Sequence, residues 1–397
     1  MTAPRYVGID IHKRHVTVAA VSKQQHELLA PQKVSIQRFT GWAHKHLEPS
    51  DRVAIEATTN SWAIHDHLTS IVHQVAVANT NKLKMITSSA SKTDRHDALV
   101  LAKLAAAELL PTVWVPPQDV RELRGITQHR TQLIQERGAA QNRLHDILHR
   151  HNLTLPDGGP FKRTNEGWWK ELALSSMEQL QVRHFWETLH SLNQQIAETE
   201  AMIAQLSASE RWLEPMTFLI QLTGVGLYTG MSILGAIGEI ERFSAARKLV
   251  GYAGLGARVH ASGDTYYTGK ISKQGRRELR TALIACAWVA VRWSDHWRSV
   301  FSNLAKRLGK QKAITAIARR LLVVIWHVLT KREVDCHADP RAVARSIMTW
   351  CSYHQLARSI GLRRVEFVKQ RLKVIGILDQ VPSFRANGRI HYLTSNP

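Results

Sequence analysis

The sequence predicts an α/β domain at the N-terminus, followed by a longer and mostly helical remainder. Three observations predict this. Short β-rich runs alternate with helical patterns over the first 110 residues. Prolines at 111, 116 and 117 punctuate the end of that region. Beyond them come long polar helix-forming stretches, and then apolar helices broken by glycine.

The elements follow in order. Residues 5–11 (Arg-Tyr-Val-Gly-Ile-Asp-Ile) and 15–22 (His-Val-Thr-Val-Ala-Ala-Val-Ser) read as a hairpin with a short basic turn. Residues 51–57 and 74–79 are two more apolar runs, with a helical pattern around Trp62, Ile64 and Leu68 between them. Together they predict a mixed sheet. The Ala/Leu-rich run from Asp94 to Leu110 reads as a helix. The first domain therefore spans 1–115. Residues 118–150 and about 172–206 read as two long helices around a loop at 155–168, so 118–208 forms either an antiparallel arm or helices packed on neighbouring domains. Residues 211–332 read as helical with a central loop. In the tail, 336–397, Tyr353–Gly361 and Arg364–Val374 have helix–turn–helix spacing, and Ser383–Tyr392 around Asn387-Gly388 has a hairpin pattern. That combination reads as a winged-helix module.

Composition narrows the function. Lys and Arg number 53 against 32 Asp and Glu, a net charge of +21. Such a balance favours a polyanionic partner, DNA or RNA first and an anionic membrane surface second. The apolar stretch from Leu321 to Leu329 is interrupted by His327 and is short for a bilayer. Residues 1–6 carry no apolar signal region. The cysteines Cys286, Cys336 and Cys351 fit neither a disulfide framework nor a zinc pattern. These features predict no membrane partner and a reducing cytoplasm.

Four acidic residues stand out. Asp10 lies mid-strand among apolar residues, where a carboxylate is costly without a cation or hydrogen-bond partners. Glu56 ends another strand. Asp94 and Asp97 share one face of a first helical turn, where negative charge is favoured. Taken alone, two such residues at a helix start usually serve as caps or dipole partners, and it is the set of four that points to a metal. Clustered carboxylates suit Mg²⁺ or Mn²⁺, and phosphodiester cleavage uses such ions to hold charge on attacking and leaving oxygens.

Tyr-Val-Gly-Ile-Asp-Ile-His-Lys at 6–13, Ile-Glu-Ala-Thr at 55–58 and Lys-Thr-Asp-Arg-His-Asp-Ala at 92–98 resemble the DEDD insertion-sequence transposases. Leu-Thr-Gly-Val-Gly at 222–226 resembles that family's helix–hairpin–helix segment. Phe243–Gly254, Ala-Ser-Gly at 261–263 and Ile-Ser-Lys-Gln-Gly at 271–275 resemble its C-terminal transposase domain. The chain departs from the family at Thr59, where glycine is frequent, and at Thr223, where proline is. The resemblance implies an RNase H-like N-terminal domain, related to junction resolvases, with Asp10, Glu56, Asp94 and Asp97 as Mg²⁺ ligands. It also implies Ser262 as the nucleophile on DNA, a structured guide RNA pairing with donor and target, and a prokaryotic cytoplasm.

The residues around Ser262 admit two readings, a projecting nucleophile or a surface turn. Gly263 permits a tight turn, and His260 and Asp264 are nearby candidates to assist. Ser272 is the rival serine. With Lys273, Arg276 and Arg280 it reads as a capped, phosphate-holding helix start, assigned to nucleic-acid positioning. Gly224 and Gly226 suit close approach to a phosphate. Tyr266 and Tyr267 suit packing or base stacking. The leading expectation is an RNA-guided transposase or recombinase that forms a phosphoserine intermediate as a homodimer or homotetramer. The alternatives are a metal-dependent junction-resolving nuclease without a covalent step and a non-catalytic nucleic-acid-binding protein.

Overall fold

The computed structural model describes residues 4–86, 93–262 and 265–393. The chain divides into two compact units, Met1–Pro116 and Pro117–Pro397.

The first unit is built on β1 (Tyr6–Ile11), β2 (His15–Val21), β3 (Glu27–Ser35), α1 (Ile36–His46), β4 (Arg52–Glu56), α2 (Ser61–Leu68), β5 (Gln74–Ala78), α3 (Thr80–Ile86), α4 (Asp94–Ala106) and β6 (Thr112–Val113). The sheet order is β3-β2-β1-β4-β5-β6. The β1–β2 and β2–β3 pairs are antiparallel, β1–β4 and β4–β5 are parallel, and β6 is antiparallel to β5. The strands at 5–11, 15–22, 51–57 and 74–79 stand where their apolar runs predict. Local pattern did not reveal β3 and α1. Most of β3 is exposed at the sheet edge and lacks a continuous apolar run.

The two faces of the sheet differ because strand side chains alternate. One face carries Val7, Ile9, Ile11, Val16, Val18, Val53 and Ile55, and packs with Phe39 and Ala43 of α1 and Ile64 and Leu68 of α2. The other receives α4. There the strand residues are small: Gly8 pairs with Ala19 on one side and Ala54 on the other. A Cβ built on Gly8 would collide with the Ala98 carbonyl of α4 and stand 2.5 Å from the Ala102 nitrogen. The absent side chain therefore sets how closely α4 approaches β1. Tyr6 and Val21 flank this seam against Ala102 and Ala106, and Ala54 and Ala78 meet Leu101.

The second unit begins with α5 (Gln118–Arg150), α6 (Glu166–Glu171) and α7 (Ser176–Ser207). Helices α5 and α7 pack along each other, with Leu133 against Leu192 and Ile196. Arg130 Nε and Nη2 donate to Glu200 Oε1 at 2.8 and 2.6 Å. At one end of the pair, Trp169 and Trp186 sit in a satellite core with Leu144, Ile147, Leu148 and Leu189. Next come α8 (Glu210–Ile220), α9 (Leu227–Ile237) and α10 (Ala246–Tyr252). Helix α9 ends in buried carbonyls. Arg124 of α5 caps them, donating from Nε to Gly235 O at 2.6 Å and from Nη2 to Ala236 O at 3.0 Å.

The central loop expected in this region is instead a β-ribbon of β7 (Ala257–Ser262) and β8 (Thr265–Ile271). Its turn chemistry was legible, but its pairing was not. A bundle follows: α11 (Arg277–Trp293), α12 (Asp295–Leu308) and α13 (Lys310–Lys331). By length and composition α13 is long and apolar enough to cross a membrane. This corrects the short apolar stretch read from sequence. Nine of its residues, from Ala313 to Leu329, are buried, and it packs on α10, α11 and α12.

The tail holds α14 (Pro340–Ser352), α15 (Leu356–Ser359), α16 (Arg364–Ile375), and the hairpin β9 (Ser383–Ala386) and β10 (Arg389–Tyr392). The helix expected over Tyr353–Gly361 is reduced to the single turn of α15, because His354 and Gln355 adopt left-handed backbone angles. Asn387 and Gly388 both have positive φ, as a two-residue hairpin turn requires. The tail docks on α7 through a buried bond from Trp350 Nε1 to Ser207 Oγ, 2.8 Å.

Candidate active site

Asp10, Asp94 and Asp97 come together where β1 ends and α4 begins. Alternation from Gly8 places Asp10 on the face that receives α4. The β1–β4 register pairs Ile9 with Ile55, so one step further sets Glu56 beside Asp10. Helix α4 begins at the same edge. Thr93 caps it, accepting from His96 N at 3.3 Å, and Asp94 and Asp97 occupy its first turn. There the exposed N–H groups and the helix dipole favour carboxylates.

Asp10 is only 4% exposed. Burial pushes its carboxyl above the ordinary range; His12 pulls it back, and the negative charges of Asp97 and Asp94 push it further up. Asp94 behaves oppositely. Lys33 and His15, bonded to its oxygens, hold it down at about 2. The contacts are close: Lys33 Nζ lies 3.0 Å from Asp94 Oδ2, and His15 Nε2 lies 3.3 Å from the same oxygen. His12 Nε2 lies 3.0 Å from Asp10 Oδ2 and 3.2 Å from Asp94 Oδ1.

The residues present suit a divalent cation. The Asp10 carboxyl is raised chiefly by burial and further by the nearby charges of Asp97 and Asp94, an arrangement that a cation relieves. Thr17, cross-strand from Asp10, has a fully buried hydroxyl with no hydrogen-bond partner among the described residues. His12 and His15 were not among the residues that the sequence singled out. Their signal was the alternation Asp10–His12 and the short turn that returns the chain at His15.

The predicted residues of the second unit lie elsewhere on it. Ser262 is the exposed last residue of β7, opposite Thr265. Gly263 and Asp264, and the side chain of His260, lie outside the described residues. Tyr266 and Tyr267 are 70% and 56% exposed on β8. Ser272 does not cap the following helix, which starts at Arg277 with Arg276 as its N-cap. The intervening residues turn through Lys273, at φ 54°, and Gly275, at φ 148°, against the backbone of Tyr252 and Gly254. Arg276 Nε donates to the Tyr252 hydroxyl at 3.1 Å, and Arg280 Nη1 to Ala253 O at 2.9 Å. Lys273 is exposed. A Cβ on Gly224 would collide with the Cys286 carbonyl, so that glycine serves the approach of α11. The Gly226 N–H donates to Thr229 Oγ1 at 2.9 Å, capping α9.

Comparison with known proteins gives this arrangement a class. A DEDD transposase model of the IS110 type, described as a transposase, matches residues 7–153, the stretch that holds all four acidic residues. A second, described as the transposase IS116/IS110/IS902 family, matches residues 216–302, the stretch that holds the ribbon. The class is that of DNA transposases and recombinases. Among relatives, y4qE of Sinorhizobium fredii, a transposase by name, is 27% identical over 70% of this chain and 65% of its own length. The transposase for insertion sequence element IS1111A of Coxiella burnetii is 27% identical over 61% of this chain and 68% of its own. The pilin gene-inverting protein of Moraxella bovis is 26% identical over 83% of this chain and 96% of its own. The chain belongs to the IS110 family of transposases.

Proposed function

We propose that this chain cuts and rejoins DNA through a phosphoserine intermediate at Ser262, as the transposase of an insertion sequence directed by a structured RNA. The observation that carries this is the gathering of buried Asp10 with Asp94 and Asp97 at one strand edge, in a family whose relatives are named as transposases and gene-inverting proteins. The strand order, three antiparallel strands followed by two parallel ones, supports an RNase H-like reading of the first unit. The +21 charge supports DNA and RNA as partners. Rejoining needs more than one cut at a time, so the working form is a homodimer or homotetramer.

Asp10, Glu56, Asp94 and Asp97 would hold Mg²⁺ or Mn²⁺. When bound, such an ion stabilises charge on the oxygens of a phosphodiester. The chain's own residues do the rest. The α4 N-terminus orients Asp94 and Asp97, and the β1 and β4 ends orient Asp10 and Glu56. On the ribbon, the Ser262 oxygen bonds to phosphorus and one phosphorus–oxygen bond of the strand breaks. The serine proton ends on the departing sugar oxygen. Attack by a second sugar hydroxyl reverses the sequence and frees the serine. One ester replaces another, so no outside energy source is required. Exposed Tyr266 and Tyr267 suit stacking on bases beside the reacting strand. Lys273 suits a phosphate contact, with Ser272, Arg276, Arg280, Gly224 and Gly226 shaping the backbone behind it.

The test is a cleavage reaction with Mg²⁺, DNA and co-purified RNA, read on a denaturing gel for DNA bound covalently to protein. Wild type should give an adduct that Ser262→Ala and Asp10→Ala both lose. Cleavage that survives Ser262→Ala without an adduct would replace this reading with a junction-resolving nuclease that uses water.

A further inference from the structure

We infer that His12 and His15 join Asp94 and Asp10 in a mixed nitrogen–oxygen site for a divalent transition ion, beyond an all-oxygen Mg²⁺ site. The inference rests on reading Asp10 and Asp94 as cation ligands. Ile11 and Val16 are the last backbone pair of the β1–β2 hairpin. His12 and His15 therefore face each other across Lys13 and Arg14, and His12 N donates to His15 O at 2.9 Å. Their rings lie 4.8 Å apart. Alternation from Asp10 puts both on the α4 face. The hairpin backbone thus presents two imidazoles to the carboxylates.

The donor atoms are spaced for one ion. One atom each from His12, His15 and Asp94 all fall within 4.8 Å of one another. His12 Nε2 lies 3.2 Å from Asp94 Oδ1 and 3.0 Å from Asp10 Oδ2, and His15 Nε2 lies 3.3 Å from Asp94 Oδ2, so the Asp94 carboxylate turns one oxygen to each imidazole. Ligands about 2.1 Å from a single ion stand roughly 3.0–3.4 Å apart in octahedral or tetrahedral geometry. Two imidazoles and a carboxylate form a set that favours Mn²⁺, Co²⁺ or Zn²⁺ over Mg²⁺, which prefers oxygen and water. Entry of an ion replaces the hydrogen bonds from the imidazoles by coordination through their nitrogen lone pairs. It also displaces the Lys33 ammonium from Asp94. Lys33 is 57% exposed, so its side chain swings into solvent.

The probe is Co²⁺ added to the full chain, followed by visible absorption and by calorimetry, with Mg²⁺ measured alongside. Wild type should bind Co²⁺ at least about tenfold more tightly than Mg²⁺. His12→Ala and His15→Ala should each weaken Co²⁺ by about 10–100-fold and alter its spectrum. Lys33→Ala should tighten Co²⁺, a gain that misfolding cannot mimic. If Co²⁺ affinity and spectrum are unchanged in both histidine variants while Asp10→Ala abolishes binding, the site is carboxylate-only and this inference falls, with the proposed function intact. If Co²⁺ binding needs the histidines but no divalent ion supports DNA cleavage, the ion site stands and the proposed function falls.

Discussion

Substituting Gly8 by alanine tests whether the seam between β1 and α4 holds the acidic edge in place. Gly8 needs no unusual backbone angle, so alanine changes only the volume. Its Cβ would stand 2.5 Å from Ala102 N, where real contacts keep at least 3.0 Å, and closer still to the Ala98 carbonyl. Both obstacles are helix backbone, which cannot rotate aside as a side chain does. Helix α4 must retreat by at least 0.5 Å at Ala102, the difference between those two distances, and further at Ala98. Overpacking of this kind costs about 1–3 kcal/mol. For a unit of this size the Tm of the first unit should fall by roughly 5–15 °C. The retreat also carries Asp94 and Asp97 away from Asp10, so divalent-ion affinity should fall with stability. The assay is calorimetric melting with and without Mn²⁺. Gly41, exposed in α1 and with nothing within 4 Å of where a methyl would stand, is the control. Gly41→Ala should stabilise by about 0.5–1 kcal/mol, because a mid-helix glycine is costly. A Gly8→Ala chain that melts and binds like wild type would refute the argument that this contact positions the site.

Three further perturbations follow from the structure. Asp94 is held down at about 2, chiefly by Lys33 and then His15. Its ionised form therefore favours folding above its ordinary value near 4, and that contribution is lost as pH falls through about 2. Lys33→Ala should raise the Asp94 midpoint in an NMR titration of its side chain and shift acid unfolding of the first unit to higher pH; an unmoved midpoint would remove Lys33 as the cause. Arg124→Met should cost about 1–3 kcal/mol in urea unfolding, because it leaves the buried Gly235 carbonyl without its guanidinium, while Ala236 O keeps the Tyr252 hydroxyl at 3.2 Å. A loss below half a unit on that scale would mean that water replaces the cap. Trp350→Phe keeps one aromatic ring but removes the donor to Ser207 and part of the buried volume, and should lower stability by about 1–3 kcal/mol and loosen the tail to limited proteolysis.

Much of this protein was legible in local chemistry. The strands of the first unit show as apolar runs because a buried central strand must be apolar on both faces, and β1 is buried at every residue. Asp10 shows for the same reason, as a charge where the run forbids one. The start of α4 is legible because Thr93, Asp94 and Asp97 satisfy a helix N-terminus. Ser262 and the Asn387-Gly388 turn show as turn chemistry. Tertiary structure decided what local pattern could not carry. Hairpin register brings His12 and His15 to Asp94, across about eighty residues of chain, and register is a property of two strands together. The need for Gly8 arises only when α4 lies on it, and that for Gly224 only when α11 does. Ser272 reads as a helix cap until the chain turns through Lys273 and Gly275 and begins α11 later. Residue type and period determine which segments become strands and helices. The meeting of distant side chains depends on packing contacts that no single segment encodes.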